Sequence, residues 1–159
     1  MMNNTTRFIL KIFSVVVLAA FLGSLFFSNY AKNIPMEQIT SVMEQHSELT
    51  SLQKRGQKDI QRYFKITELP DSEFLFYKAV SPMSVDEVMI VKARSKQQAD
   101  EFLEKAEAHL ESQKNIFGAY GTDQMGILGE AVVASRGNYV YYFCGPDAAT
   151  LSDAFLKLI

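Results

Sequence analysis

The chain has 159 residues, of which 48% are apolar and 21% are charged. These values are typical of one globular domain with its own core, and they exclude collagen-like and wholly disordered chains. The formal net charge is −2, and after residue 32 the acidic residues outnumber the basic ones. Nucleic acid is therefore excluded as the main partner, because neutralising phosphates requires a clustered cationic surface.

The first predicted element is a transmembrane helix over residues 8–27. This stretch is almost entirely apolar and carries one charge, Lys11, which lies in the first turn and can reach the headgroups. Its length is about that needed to cross the hydrocarbon core of a bilayer. Arg7 and Lys11 stand before the bulk of the run and only Lys32 stands just after it. This charge pattern predicts a cytoplasmic N-terminus and an extracytoplasmic remainder.

Whether this segment is cleaved is a separate question. A signal peptidase prefers small residues at alternate positions, but Ala31 is preceded two positions earlier by Asn29. An uncleaved anchor is therefore favoured over a cleaved signal peptide. The single cysteine, Cys144, lies far from this end, so lipidation there is excluded. The predicted organisation is a cytoplasmic tail over residues 1–7, an anchor over 8–27, a linker over 28–34 and an extracytoplasmic domain over 35–159.

The domain is predicted to begin with short helices that contain a candidate basic patch. Pro35 suits the first turn of a helix, and apolar residues follow it at spacings of three and four. Gly56 is predicted to separate this helix from a second one. Lys54, Lys58 and Arg62 share a face at helical spacing, which would suit anionic lipid or wall polymer. An ordinary solvated helix face is the more common outcome for such a pattern.

The rest of the domain is predicted to contain two strands followed by a helix, and this order occurs twice. Short apolar runs predict strands over residues 74–77, 88–91, 131–136 and 139–144, and periodic stripes predict helices over 96–116 and 147–158. Residues 118–124 are predicted to be a loop with one helical turn after Thr122. Gly137 and Asn138 suit a hairpin turn. The expected fold class is α+β, a two-layer domain in which helices pack on a mainly antiparallel four-stranded sheet of ββα-ββα order.

The histidines and the cysteine are interpreted as structural residues. His46 and His109 lie on predicted helices without the spacing of a metal site, and phosphate-binding glycine motifs are missing. A single cysteine in a strand is most often a buried apolar group. We therefore predict no catalytic residue, no metal and no cofactor.

Paired carboxylates offer the alternative of an enzyme. Asp71 with Glu73, and Asp86 with Glu87, flank predicted strands. Hydrolysis of a glycosidic polymer requires two such groups to converge across a cleft. Turns are rich in acidic residues for other reasons, so the predicted protein is not an enzyme and the hydrolase stays the alternative.

An aromatic stripe supplies the candidate binding surface. Tyr139, Tyr141 and Phe143 alternate onto one face of a predicted strand. If helices cover only the other face, these side chains form an exposed platform, to which Tyr120 of the preceding loop is added. Packing of the stripe beneath helices is the competing interpretation.

Several of these segments resemble a known family. The resemblance is carried by residues 131–140, by Gln113, Phe117 and Tyr120 before them, and by residues 86–92. Taken together, they are similar to a domain-of-unknown-function family of small secreted, usually lipid-anchored proteins of Gram-positive bacteria, over roughly residues 39–159. The resemblance implies an extracytoplasmic, membrane-tethered α+β domain and brings no catalytic residues. The chain departs from the family in lacking a lipidation cysteine near its N-terminus.

The expected function follows from these points. The sequence predicts a membrane-anchored, extracytoplasmic, non-catalytic binding or scaffold module of the bacterial cell envelope. Its partners would be the lipid bilayer through residues 8–27 and an envelope protein or small ligand. The alternatives are an envelope hydrolase that uses carboxylates and an assembly protein that binds anionic surfaces.

Overall fold

The computed structural model describes residues 4–28, 30–67, 69, 73–119 and 121–159. The chain divides after Tyr30 into two compact units. The first unit contains helix α1 (Asn4–Ser28). Its large apolar side chains between Phe8 and Leu22 are exposed.

The predicted transmembrane helix is the first correction. A crossing takes about 20 consecutive apolar residues in one helix. Over the residues that the structure describes, no helix is both long and apolar enough to cross a membrane. The expectation of a transmembrane helix over residues 8–27 is therefore wrong for this fold.

The second unit contains six helices and five strands among its described residues. The helices are α2 (Met36–Met43), α3 (Ser47–Thr50), α4 (Gln57–Phe64), α5 (Lys96–Phe117), α6 (Thr122–Gly129) and α7 (Ala148–Leu158). The strands are β1 (Gln53–Lys54), β2 (Phe74–Lys78), β3 (Glu87–Lys92), β4 (Val132–Arg136) and β5 (Tyr139–Cys144).

Local chemistry explains where the main helices begin and end. The Ser95 side chain accepts a hydrogen bond of 3.1 Å from the backbone N–H of Gln98, which satisfies a free donor at the start of α5. Lys65 ends α4 in the left-handed conformation, with φ of 58°. The last three residues of the loop predicted over 118–124 begin helix α6, so the helical turn expected after Thr122 continues to Gly129.

The sheet is antiparallel throughout, in the order β1-β2-β3-β5-β4. The prediction of an α+β fold with an antiparallel sheet is confirmed, but the predicted number of four strands is wrong. The additional strand, β1, consists of two exposed polar residues, Gln53 and Lys54. They form a strand because they pair with β2 at the sheet edge, which no local alternation of apolar residues could indicate.

The β4–β5 hairpin turns at the predicted glycine. Gly137 has φ of +60°, and a side chain there would also lie 2.8 Å from the Cβ of Ala31. The Asn138 side chain donates to the carbonyl of Ala93, 2.9 Å away, which ties the turn to the end of β3. The hairpin thus fixes the register of β5 against both of its neighbours.

Helices cover both faces of the sheet, so the predicted two-layer arrangement is wrong. Strands β2, β3 and β5 are buried at almost every position, whereas a sheet open on one side alternates buried and exposed residues. Under α4, α5 and α6 lies what we call the charged face: Phe74, Phe76, Lys78, Glu87, Met89, Val91, Val140, Tyr142 and Cys144. Under α2, α3 and α7 lies the aromatic face: Leu75, Tyr77, Val88, Ile90, Tyr139, Tyr141 and Phe143.

Candidate ligand-binding groove

The charged face contains a cluster of three buried ionisable side chains. Lys78 ends β2 and Glu87 begins β3, and the antiparallel register places the two directly opposite each other. His109 projects onto them from the middle of α5. Glu87 is 0% exposed, and Lys78 and His109 are also buried. The hairpin and the long helix together therefore bring one acid between two bases.

Both oxygens of the Glu87 carboxylate are occupied. Lys78 Nζ donates to Oε1, and His109 Nε2 lies 2.7 Å from Oε2. Because an ionised carboxylate can only accept hydrogen bonds, Nε2 carries a proton and donates it to Glu87. In neutral His109 the other ring nitrogen, Nδ1, then presents a lone pair. Nδ1 makes no hydrogen bond with the described part of the chain.

Glu87 stays ionised in spite of its burial. Desolvation by burial would raise its pKa, but the hydrogen bonds and charges of His109 and Lys78 outweigh that effect. The pKa of Glu87 is therefore held below the ordinary glutamate value. The carboxylate is a permanent negative charge beneath His109 at neutral pH.

Aromatic rings surround the cluster. The ring centroid of Phe64 lies 4.3 Å from that of His109, and the centroid of Tyr142 lies 5.5 Å from it. Lys78 Nζ lies 5.0 Å from the ring centroid of Tyr63, in cation–π contact. These rings exclude water from the ion pairs, which strengthens the pairing and fixes the plane of the imidazole.

A groove between α4 and α5 leads to His109. Arg62 and Lys65 line it from the end of α4, and Lys105, His109 and Ser112 line it from α5. Arg62 and Lys65 are exposed and Lys105 is half-buried, with His109 at the base. The ammonium of Lys65 donates to the carbonyl of Arg62, 2.8 Å away. None of these three cations forms an ion pair with a carboxylate in the part of the chain that the structure describes.

The predicted basic patch does not share one helix face. Lys54 lies in β1, where its ammonium is 2.9 Å from Glu44 Oε1. Lys58 and Arg62 lie one turn apart on α4, which begins only after Gly56. The patch was predicted from a helical spacing that this break interrupts. Arg62 belongs instead to the groove between α4 and α5.

The predicted aromatic platform is not exposed. Tyr139, Tyr141 and Phe143 are 0%, 5% and 0% exposed. They pack against Phe155 of α7, with ring centroids 5.2–6.1 Å apart. The platform was inferred from a sheet covered on one face, and the helices on the other face remove it. Tyr120, the fourth member, lies outside the described residues.

The other candidate site residues have surroundings that are typical of structural residues. His46 occupies the N-cap position of α3 without a side-chain capping bond, and its Nδ1 lies 3.9 Å from Glu48 Oε2. Cys144 is buried, and burial raises the pKa of its thiol to about 12, so the thiolate is disfavoured. The Asp86 carboxylate accepts a hydrogen bond of 3.0 Å from the Ser84 hydroxyl. Asp86 and Glu87 do not face each other across a cleft. Asp71 lies outside the described residues, and among those described no group of three metal-binding side chains occurs.

Sequence reasoning missed the cluster because its members are far apart in the chain. The sequence predicts His109 to be a structural residue of a helix and Glu87 to be one of two acids that flank a strand. One signal was present: Lys78 and Glu87 extend the alternation of Phe74 and Phe76, and of Met89 and Val91, onto the same buried face. Opposite charges at matching ends of a hairpin favour a cross-strand ion pair.

The chain is thus an α+β protein with an antiparallel sheet covered on both faces and a basic groove above a buried Lys–Glu–His cluster. It belongs to the family described as Domain of unknown function (DUF4358), whose profile matches residues 45–145. The prediction of a domain-of-unknown-function family is confirmed. The match contains β1 to β5 and every residue of the groove and cluster. No curated protein and no solved structure shows a significant match to the chain.

Proposed function

We propose that the chain is a non-catalytic binding module that holds its ligand in the groove between α4 and α5. The observation that carries the proposal is the convergence of Arg62, Lys65 and Lys105 on this groove without carboxylate partners among the described side chains. Cations that only solubilise a surface are usually interspersed with acids. Arg62 and Lys105 contact the rings of Tyr63 and Phe102, and Lys65 donates to a carbonyl, so their positive charge is not neutralised by these partners. A concave site with several such cations and a fixed polar group at its base is suited to a ligand.

Two features support binding rather than catalysis. Glu87 has both oxygens engaged and a lowered pKa, so it is a poor proton donor for the hydrolysis considered from the sequence. The thiol of Cys144 is buried and held in its protonated form. The Glu87–His109 pair does resemble an oriented base, so the hydrolase stays the second candidate.

We place this module outside the cytoplasm, in a bacterial cell envelope. The support is the resemblance to secreted, usually lipid-anchored proteins of Gram-positive bacteria. Protease added to intact cells should then remove a tag fused after Ile159, while a cytoplasmic marker protein survives. Protection of the tag until the cells are lysed would reverse the proposed location.

The binding function is tested by thermal unfolding of the full chain with a panel of phosphates, carboxylates, sugars and wall-polymer fragments. A ligand that binds only the folded state raises the midpoint of unfolding. At least one panel member should raise it for the natural chain and for Lys58→Gln, an exposed change on α4 outside the groove. The same compound should have little effect on Lys105→Gln.

Two outcomes would contradict the proposal. An equal shift for Lys105→Gln would place the ligand elsewhere on the domain. Mass spectrometry of the recovered compound distinguishes binding from hydrolysis, since a binding module returns it unchanged. Conversion that is lost in His109→Gln would favour the hydrolase.

A further inference from the structure

The base of the groove is a histidine whose two nitrogens have different surroundings. Nε2 of His109 is fixed against Glu87, while Nδ1 has no hydrogen-bond partner in the described part of the chain. The residue is 6% exposed and lines the groove. Because this nitrogen has no partner among the described residues and His109 lines a concave site, Nδ1 is available to an atom of a bound ligand.

We propose that the groove binds a phosphate group, and that His109 donates to it from Nδ1 in the imidazolium form, so that binding takes up a proton. This inference rests on the proposed binding function and names its ligand. Arg62, Lys65 and Lys105 supply the surrounding positive charge.

Charge favours phosphate over a carboxylate ligand. A carboxylate carries one negative charge and is satisfied by one cation with one or two donors. A phosphate monoester carries about −1.5 to −2 charges at pH 7 and has three strong acceptor oxygens. Three cations and an imidazolium at one groove match the larger charge and the larger number of acceptors.

The position of Glu87 determines which form of His109 can donate a hydrogen bond to a phosphate. Because Nε2 already donates to the carboxylate, neutral His109 presents a lone pair at Nδ1, which repels a phosphate oxygen. Protonation replaces that lone pair with an N–H donor. Binding of the anion is therefore expected to weaken as the pH is raised.

Groups of both charges lie around His109. The Glu87 carboxylate contacts its Nε2, while Lys78 and the groove cations lie nearby. A bound phosphate adds negative charge beside Nδ1 and offsets the groove cations. The titratable or charged groups near His109 are Glu87 on β3, Lys78 on β2, Arg62, Tyr63 and Lys65 at α4, Lys105 on α5, and Tyr142 on β5.

The experiment is a titration of the full chain with inorganic phosphate and with sulfate, at constant ionic strength against chloride. Sulfate has the shape of phosphate and keeps its charge between pH 6 and pH 8, so any change in its affinity reports on the protein. Nitrogen NMR of the imidazoles follows the protonation directly, because the chain has only two histidines. His46 lies outside the groove and is the internal reference.

Both anions should shift the Nδ1 signal of His109 towards the protonated form and leave His46 unchanged. Sulfate affinity should be lower at pH 8 than at pH 6. Lys105→Gln and Arg62→Gln should each weaken binding at least threefold, whereas Lys58→Gln should not. These exposed or half-exposed changes keep the test valid if His109→Gln fails to fold.

Different failures have different meanings. If a panel compound binds at Lys105 but phosphate and sulfate do not, the phosphate inference is wrong and the binding function stands. Sulfate binding that is equal at pH 6 and pH 8 overturns the proton uptake. If no compound binds, the proposed function itself fails. Glycerol phosphate and vesicles that contain phosphatidic acid, both phosphate monoesters and compared at equal phosphate, distinguish a soluble ligand from a lipid headgroup, and both sources require Lys105.

Discussion

The two faces of the sheet are equally buried but chemically opposite. On β5, Tyr142 and Cys144 point to the charged face and Tyr141 and Phe143 to the aromatic face. The aromatic face is closed by Phe155 through ring contacts, and tyrosine hydroxyls such as that of Tyr139 make its hydrogen bonds. The charged face has a carboxylate at 0% exposure and a groove above it. Burial alone therefore does not separate a structural core from a candidate site.

The difference has an energetic consequence. Aromatic packing gains free energy from burial, whereas buried ion pairs lose much of their attraction to desolvation. An apolar cluster in place of Lys78, Glu87 and His109 would stabilise the fold at least as well. What the ions supply is orientation, since the carboxylate fixes the tautomer and the direction of the imidazole. We therefore expect the two faces to respond differently to substitution and to pH.

The largest effect is expected for Glu87→Gln. The change keeps the side-chain volume but leaves Lys78 without its counter-charge in the core and His109 Nε2 without its carboxylate acceptor. Removing one partner of a buried ion pair costs about 3–5 kcal/mol. Urea denaturation at pH 7 should show a loss of this size in the free energy of unfolding.

The pH dependence separates this loss from a packing defect. The pKa of folded Glu87 is lowered, so its contribution to stability is complete above the ordinary glutamate value of 4.5 and is lost as the pH falls through the folded pKa. The difference in the free energy of unfolding between Glu87→Gln and the natural chain should become smaller as the pH is lowered. Phe155→Ala on the aromatic face should cost a similar 3–5 kcal/mol, roughly, with no such narrowing. A constant gap for Glu87→Gln would mean that its ion pairs contribute nothing.

The sequence predicted those parts of the fold that depend on local pattern. Strands β2 to β5 and helices α5 and α7 have clear apolar periods, and they lie close to the predicted positions. Strand β1 has no such pattern and exists only through its pairing with β2. The uninterrupted apolar runs of β2, β3 and β5 indicate that both faces of the sheet are buried. The order of hairpins and helices instead suggested that helices cover only one face.

The candidate site could not be predicted in the same way. Arg62 was recognised as part of a basic patch, but its groove partners Lys65 and Lys105 come together only when α4 packs against α5. The Lys78–Glu87 pair requires the exact hairpin register, and His109 joins it only through the position of α5. Each of these contacts is tertiary, so no single stretch of sequence contains it.

A smaller effect is expected for Tyr139→Phe on the aromatic face. The Tyr139 hydroxyl accepts from the backbone N–H of Ile34 and donates to its carbonyl, both at 2.8 Å. The carbonyl keeps a second partner, Lys92 Nζ at 2.8 Å, but the N–H loses its acceptor. The change should lower the free energy of unfolding by about 1–2 kcal/mol, measured by urea denaturation.

The smallest effect is expected for the matched change on the charged face, Tyr142→Phe. The Tyr142 hydroxyl is buried and has no hydrogen-bond partner among the described residues, and burial raises its pKa. Removing an unsatisfied polar group abolishes its desolvation cost, so the free energy of unfolding should stay unchanged or rise by up to about 1 kcal/mol. A loss of stability as large as that of Tyr139→Phe would show that the Tyr142 hydroxyl forms a hydrogen bond. The Cys144 thiol would then be the first partner to test, with the variant Cys144→Ala. The polar cluster would then extend across β5, and the contrast between the two faces would be greater than the ion pairs alone indicate.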